Sequence, residues 1–341
     1  MASLSILIPV FNELNNLEQF TKNLLKSFDS INAELIFIND GSNDGSAEWL
    51  DNFCNHNSEK NIQLINFEKN KGKGKAIQEG LKVSKGDYIL LQDADLELDT
   101  QDSLELYKMI KNDNNIQCIF GSRYLSGKIK KNQNILNALF GKINSIIFNL
   151  LFNQSLSDVH CGCKIISKYV KEKINLTIND FGLEIDIASQ ISKQKIEIYE
   201  YGISYFPRTV SQGKKITWID GVKSYFYLFK TRFIDNNFAT QISIIYSSGY
   251  MAYVGSYFGM GIGKDMMIIF LLFVGLFIGL HRKIFSSTII LLFIYFGSLF
   301  SQGNGKIYTV LLGFIIGLYI SKKIINFLKN RMPKKFILFF V

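Results

Sequence analysis

The sequence predicts an α/β domain built on a mostly parallel sheet, followed by an interfacial helix and an α-helical membrane domain. Three observations predict it. Strand and helix patterns alternate through the first 120 residues, polar and acidic clusters recur where the apolar strands end, and charge and hydropathy change character near residue 237. Repeated βα units bury both faces of a parallel sheet. In such sheets ligands sit at the carboxyl ends of the strands.

The elements follow in order. Residues 4–10 are an apolar strand, and residues 15–28 place Leu17, Phe20, Leu24 and Phe28 at helical spacing. Residues 35–39, 62–67, 88–92 and 117–120 read as further strands, with helices over 75–83 and 102–110 between them. A last apolar stretch at 203–206, read as a strand, precedes Arg208. Residues 216–233 then set Trp218, Val222, Tyr225, Phe226 and Phe229 near one face of a helix, with Lys223, Lys230 and Arg232 around it. That composition suits a membrane interface.

The formal charge of +9 is unevenly placed, because residues 238–341 carry ten basic side chains and the single acid Asp265. The same region holds the uncharged runs 266–280, 287–300 and 307–320. A basic excess confined to short connections between apolar runs points to membrane topology rather than to nucleic acid. Extended by their flanks toward the ~20 residues that span a bilayer, the runs give spans near 242–262, 265–281, 284–302 and 306–323. A buried helical bundle is the alternative. Basic loops inside put both ends of the region in the cytoplasm. Residues 1–5 lack a basic region and 6–11 read as a strand, so no secretory leader is expected. Cys54, Cys118, Cys161 and Cys163 complete no zinc pattern and read as reduced thiols. The expected boundaries are 1–215, 216–236 and 237–341.

Chemistry gathers at the strand ends. After the strand at 88–92 come Asp93, Asp95 and Glu97, which an extended backbone would present on one face. Their hard oxygens suit Mg²⁺ or Mn²⁺, ions that share coordination with substrate phosphates. Pro9-Val10-Phe11-Asn12-Glu13 ends the first strand and Asn39-Asp40-Gly41-Ser42 the second. Asp40 can accept from a base N–H, Phe11 can flank a base, and Gly41 lets backbone approach a ligand. Asn70-Lys71-Gly72-Lys73-Gly74-Lys75 opens a helix, a place for phosphate or ribose, without the ending of a Walker A loop. Arg123 in Gly121-Ser122-Arg123-Tyr124, and Arg208 and Lys215 in the stretch 208–215, offer cations for anionic groups.

As an ordered set these segments resemble the family-2 glycosyltransferases of GT-A (Rossmann-like) fold, closest to the polyprenyl-phosphate glycosyltransferases such as dolichol-phosphate mannose synthases. The resemblance covers about residues 3–232. It implies that Pro9, Phe11, Glu13, Asp40, Gly72 and Lys73 hold the nucleotide of a UDP- or GDP-sugar, that Asp95 and Glu97 hold the metal, and that Asp93 lies beside the donor sugar and ribose. Arg123, Arg208 and Lys215 would neutralise the donor diphosphate and acceptor phosphate. Glu97 stands where relatives often have glutamine. At 130–150, where relatives bring an arginine to the acceptor, this chain offers Lys130, Lys131 and Lys142. Asp158 and Lys164 occupy the polar positions of a segment that lines the site in the family.

The expected function is metal-dependent, inverting transfer of a sugar to undecaprenyl or dolichyl phosphate at the cytoplasmic face of a membrane. Membrane lipids are the expected partners, nucleic acid is not, and self-association is left open. The rival acceptor is a sugar hydroxyl of a glycolipid or surface polysaccharide, which needs a general base and would give Glu184 or Asp186 that role. A processive synthase is disfavoured because the Gln-x-x-Arg-Trp signature is absent. A membrane module without activity is disfavoured by the intact acidic motif.

Overall fold

The computed structural model describes residues 3–127, 135–208, 218–235, 238–255 and 262–281, together with 290, 294, 312–317, 319 and 320. The chain divides into two compact units, Met1–Leu228 and Phe229–Val341. In the first, strands and helices alternate as β1 (Leu4–Val10), α1 (Leu14–Ser27), β2 (Ala33–Asn39), α2 (Ser46–His56), β3 (Ile62–Asn66), α3 (Lys73–Val83), β4 (Tyr88–Leu91), α4 (Thr100–Asn112) and β5 (Cys118–Ser122). Then come α5 (Ile135–Phe152), β6 (Lys164–Ser167), α6 (Lys168–Lys173), α7 (Leu183–Lys193), β7 (Tyr199–Gly202) and α8 (Trp218–Phe229), which runs to the boundary.

The seven strands form one sheet in the order β3-β2-β1-β4-β6-β5-β7. Its pairs are parallel except at β6, which runs antiparallel to both β4 and β5. The expected mostly parallel sheet is thus a mixed one. Period-2 alternation sorts β1 between two cores. Leu4, Ile6, Ile8 and Val10 face α1 and α4 through Leu17, Phe20, Leu24 and Tyr107. Leu7 joins Ile36, Ile38, Ile89 and Leu91 against Ile77 of α3, Phe148 of α5 and Ile187 of α7. Two sequence expectations need correction. Residues 203–206 contribute only the isolated bridge between Tyr205 and Leu98, since the strand lies earlier, at β7. The acids after β4 sit on a turn, not an extended segment: Leu96 has a left-handed φ of 60°, and Glu97 N–H donates to Asp95 Oδ1 at 3.0 Å.

In the second unit α9 (Phe238–Gly255) packs on α10 (Ile262–His281), with Ser247 Oγ donating to Gly275 O at 2.7 Å. These helices overlap the expected spans near 242–262 and 265–281. The spans near 284–302 and 306–323 lie mostly outside the described residues. Among the described residues no helix is long and apolar enough to cross a membrane. Hydroxyl side chains punctuate α9, and Lys264 and Asp265 lie in the first turn of α10. The fold therefore lends the expected membrane domain no support.

Close backbone contact brings the start of α3 to the segment before α7. Lys75 N–H donates to Asn179 O at 3.1 Å, and a Cβ on Gly74 would stand 2.1 Å from Ile178 O. Alanine is the better helix former by about 1 kcal/mol, but overpacking against backbone costs about 1–3 kcal/mol. We expect Gly74→Ala to lower the unfolding temperature and Gly221→Ala in α8, where nothing lies within 4 Å of the added methyl, to hold or raise it. Thermal unfolding of the two variants checks this. A Gly74→Ala protein as stable as the wild type would contradict the packing.

Candidate active site

The carboxyl ends of β1, β2, β4 and β5 open onto one cavity of about 760 Å³. Its lining gathers Pro9, Phe11, Glu13, Asp40, Gly72, Lys73, Asp93, Asp95, Glu97, Arg123, Glu184 and Arg208. Segments far apart in sequence therefore converge as the strand-end pattern predicts. Asp158 and Lys164 stand behind the lining and bond its residues Arg123 and Glu184, Asp186 bonds none of the described lining residues, and Lys215 lies outside the described residues.

Asp40 is 3 % exposed, and its two oxygens accept from Lys71 N–H at 2.7 Å and Gly72 N–H at 2.9 Å. Gly41, at φ 68°, lets the 40–41 turn lie against Lys69 and Asn70, where any Cβ would stand 2.3 Å from a backbone carbon. Asp40 thus shapes the glycine loop as well as facing the cavity. Burial pushes its carboxyl up, against those hydrogen bonds.

Arg208 meets three carboxylates at once. Its Nη1 lies 2.9 Å from Glu13 Oε2, its Nη2 3.1 Å from Asp95 Oδ2, and its backbone N–H donates to Glu97 Oε1 at 3.1 Å. The expected nucleotide ligand Glu13 and the expected metal ligands Asp95 and Glu97 therefore share one internal cation. Burial, with the charges of Asp93 and Glu97, pushes the Asp95 carboxyl up to about 7 despite Arg208. This acid set is short of positive charge, and its hard oxygens fit a divalent ion. Among the described residues no group of three or more His, Cys, Asp or Glu forms a ready cage, so an ion here would need further oxygens from a phosphate.

Arg123 is a fixed cation. Its Nε and Nη2 grip buried Asp158 at 2.7 and 2.8 Å, its own N–H donates to the same carboxylate at 3.1 Å, and its guanidinium lies 5.2 Å from the Tyr205 ring. Burial alone would raise the Asp158 carboxyl, but the Arg123 charge and its hydrogen bonds hold it below the usual range. Glu200 on β7 accepts from the backbone N–H groups of Ser157 and Asp158 at 2.9 and 3.1 Å, which sets the turn that carries Asp158. Glu184 lies between two lysines: Lys73 Nζ at 3.1 Å, and Lys164 Nζ, fully buried and also bonded to Cys161 O. Burial would raise the Glu184 carboxyl, but Lys164 and Lys73 keep it lowered. Asp186 accepts from Thr177 N–H at 2.7 Å, Ile178 N–H at 3.0 Å and Gln190 Nε2 at 2.7 Å, a structural role.

Sequence reasoning missed Tyr205, Glu200 and His160. Nothing in Tyr-Glu-Tyr-Gly marks Glu200 as the anchor of a distant turn. His160 lines the cavity beside Gly162, and burial lowers its imidazole to about 4, so it is neutral near pH 7.

The profile described as Glycosyl transferase family 2 matches residues 5–174. A dolichyl-phosphate beta-glucosyltransferase of Dictyostelium discoideum is 25% identical over 215 residues, 59% of this chain and 66% of that protein. The chain thus spans just under two thirds of that relative. An uncharacterized protein of Methanocaldococcus jannaschii is 30% identical over 207 residues, 58% of this chain and 86% of the relative. Among solved structures, glucosyl-3-phosphoglycerate synthase from Mycobacterium tuberculosis, crystallised with Mn²⁺, UDP and phosphoglyceric acid, superposes with a TM-score of 0.53 at 14% identity, covering 69% of this chain and 80% of that one. That likeness is one of fold, GT-A.

The Arg123–Asp158 clamp has a testable pH signature. A carboxyl lowered in the folded state contributes stability above its unfolded pKa of about 3.9, and loses that contribution as pH falls through the folded value. Removing one partner of a buried pair costs about 3–5 kcal/mol. Asp158→Asn should therefore unfold well below the wild type at pH 7, and the gap should narrow below pH 4. Thermal unfolding between pH 3 and 7 checks it, and a gap independent of pH would refute the assignment.

Proposed function

This chain belongs to glycosyl transferase family 2, and from that premise we propose that it transfers one sugar from a nucleotide-sugar donor, a UDP- or GDP-sugar, to undecaprenyl or dolichyl phosphate. The observation that carries the choice of acceptor is the state of the two carboxylates expected to serve as base. A hydroxyl acceptor needs a group to take its proton. Glu184 is held ionised between two ammonium groups, and Asp186 is committed to backbone N–H groups. Neither is placed to act. A phosphate acceptor arrives already ionised and needs no base.

On this reading an oxygen of the acceptor phosphate attacks the anomeric carbon as the bond from that carbon to the donor diphosphate breaks, and the electron pair leaves with the nucleoside diphosphate. Single displacement inverts the anomeric centre. No proton moves. The protein must hold two anions together and stabilise the departing charge. Arg123 supplies a cation whose orientation is fixed before substrate binds, and Lys73 and Arg208 line the same cavity. Lys215 is assigned to the same task. Phe11, Pro9, Asp40 and Gly72 form the nucleotide end. A divalent ion, Mg²⁺ or Mn²⁺, held by Asp95 and Glu97 would neutralise the leaving diphosphate.

A lipid acceptor is supported by the apolar side chains beside the cavity. Phe140 of α5 and Val222 of α8 line it. Leu139, Ile146, Leu150, Ile219 and Phe226 are exposed on the same two helices, which Asn144 Nδ2 ties together by donating to Ser224 Oγ at 2.7 Å. The name of the Dictyostelium relative supports the same acceptor class. The domain assignment belongs to this proposal: a cytoplasmic catalytic part at 1–215, an interfacial helix at 216–236 and a membrane part at 237–341, resting on the distribution of Lys and Arg.

Membranes containing the protein, incubated with labelled UDP-glucose, GDP-mannose and other nucleotide-sugars plus polyprenyl phosphate, should yield a lipid-soluble labelled product, and excess chelator should abolish it. Product confined to a sugar hydroxyl would overturn the acceptor, and full turnover in chelator the metal. Arg123→Ala should cut the rate by about a hundredfold or more.

A second expectation has opposite signs in two assays. Since Arg208 competes with any ion for Asp95 and Glu97, Arg208→Gln should bind Mn²⁺ about tenfold more tightly, the ratio given by roughly 1.4 kcal/mol of lost competition, while turning over more slowly. Titration of the free Mn²⁺ signal by electron paramagnetic resonance reads the affinity. Weaker binding in the variant would contradict the competition.

A further inference from the structure

Asp93, which the proposed reading sets beside the donor sugar, is the tip of a buried chain of alternating charges. Asp93 Oδ1 lies 2.7 Å from Lys73 Nζ, which lies 3.1 Å from Glu184 Oε1. The other oxygen of Glu184 bonds Lys164 Nζ, whose ammonium also donates to Cys161 O and sits 4.9 Å from the Phe120 ring. Side-chain exposure falls along the chain from 24% at Asp93 through 16% at Lys73 and 7% at Glu184 to zero at Lys164. Asp93, Lys73 and Glu184 line the cavity, and Lys164 stands behind them. The chain is neutral as a whole, so it can be buried without an unpaired charge.

Two further features hold this tip in place. A Cβ on Gly162 would stand 2.1 Å from Asp93 Oδ2 and 3.1 Å from Lys73 Nζ, so the glycine backbone walls the pair from one side. The contact of Gly72 and Gly74 with residues 178–180 fixes the α3 end that carries Lys73 against the α7 end that carries Glu184.

We propose that Glu184 and Lys164 are positioning residues that act through Lys73 to hold the Asp93–Lys73 pair as a preset acceptor and donor for hydroxyl groups of the donor sugar. Carboxylate and ammonium side by side present an acceptor and a donor at hydrogen-bond spacing, the complement of neighbouring sugar hydroxyls. Lys164 touches no substrate on this assignment. Its charge keeps Glu184 ionised, Glu184 keeps Lys73 from rotating away, and Lys73 aims Asp93. The inference rests on the nucleotide-sugar reading and is independent of the acceptor.

The test is donor binding without acceptor, measured by calorimetry on the full-length protein with Mn²⁺ present. The probes are UDP-glucose against UDP and GDP-mannose against GDP, using whichever pair the wild-type protein binds. Glu184→Gln and Lys164→Met should weaken the nucleotide-sugar by about tenfold while changing the nucleoside diphosphate by less than about twofold, because the sugar contact alone is disturbed. A residue that only supports the fold would weaken both ligands alike, and a general base would weaken neither. Either result overturns the assignment. Since each single variant leaves the buried chain with an unbalanced charge, the double variant Glu184→Gln/Lys164→Met serves if a single one fails to fold. It removes both charges and should fold while still discriminating poorly between sugar-bearing and bare nucleotide. Wild-type discrimination in the double variant would also overturn the proposal. Loss of transfer in a variant whose donor binding is unaltered is the behaviour of a general base and overturns the acceptor reading as well. Failure of the wild type to use polyprenyl phosphate, with the expected loss of sugar discrimination in the variants, would count against the acceptor reading alone.

Discussion

Charge balance on the strand-end rim is the constraint on which the site depends. Asp93, Asp95, Glu97, Glu13 and Glu184 crowd one cavity, and such a group of carboxylates in partly buried surroundings is unfavourable unless cations are interleaved. The fold interleaves them from separate elements. Arg208 serves Glu13, Asp95 and Glu97, Lys73 serves Asp93 and Glu184, and Lys164 serves Glu184 from behind. These cations enter the site from the loop after β7, the start of α3 and the start of β6, so the sheet order itself is what neutralises the rim.

Arg123 belongs to the same scheme but is held differently. Its partner Asp158 is fully buried, and that carboxylate is in turn placed by a turn whose N–H groups point at Glu200. In the series Glu200, Asp158, Arg123 each group orients the next, with the fully buried Asp158 in the middle. A cation oriented in advance needs no reorganisation when charge develops beside it. The arrangement contrasts with Arg208, whose partners are the carboxylates that a divalent ion would itself occupy.

Much of this was legible in the sequence, for definite reasons. The strands β1, β2 and β4 are apolar runs ending in polar clusters, and those clusters mark the rim because ligands gather at strand ends. β6 and β7 were not legible. Each has four residues, β6 begins with a lysine and β7 reads Tyr-Glu-Tyr-Gly, so neither shows the apolar run or the alternation that announces a strand. The three acids after β4 were found, but their geometry was misjudged, since nothing about Leu96 signals a left-handed backbone. Glu184 was visible only as a candidate base, because its two lysines are 111 and 20 residues away. The hydropathy of residues 238–341 suggested more than the described helices support, since a short apolar run reads alike in a packed helix and in a spanning one.

The reversed strand β6 has a consequence for how the protein is made. β4 and β5 are consecutive strands, yet they are not neighbours: β6 lies between them and pairs with both. The part β3-β2-β1-β4 can close as soon as β4 has been synthesised. β5 has no strand to join until β6 or β7 follows it. At about 5–20 residues per second that interval lasts several seconds during translation, with one edge of β4 unpaired and its apolar side chains uncovered. The nascent chain is thus most exposed to mispairing in the window between the acidic motif and Lys164, the residue with which the strand that joins the two parts of the sheet begins.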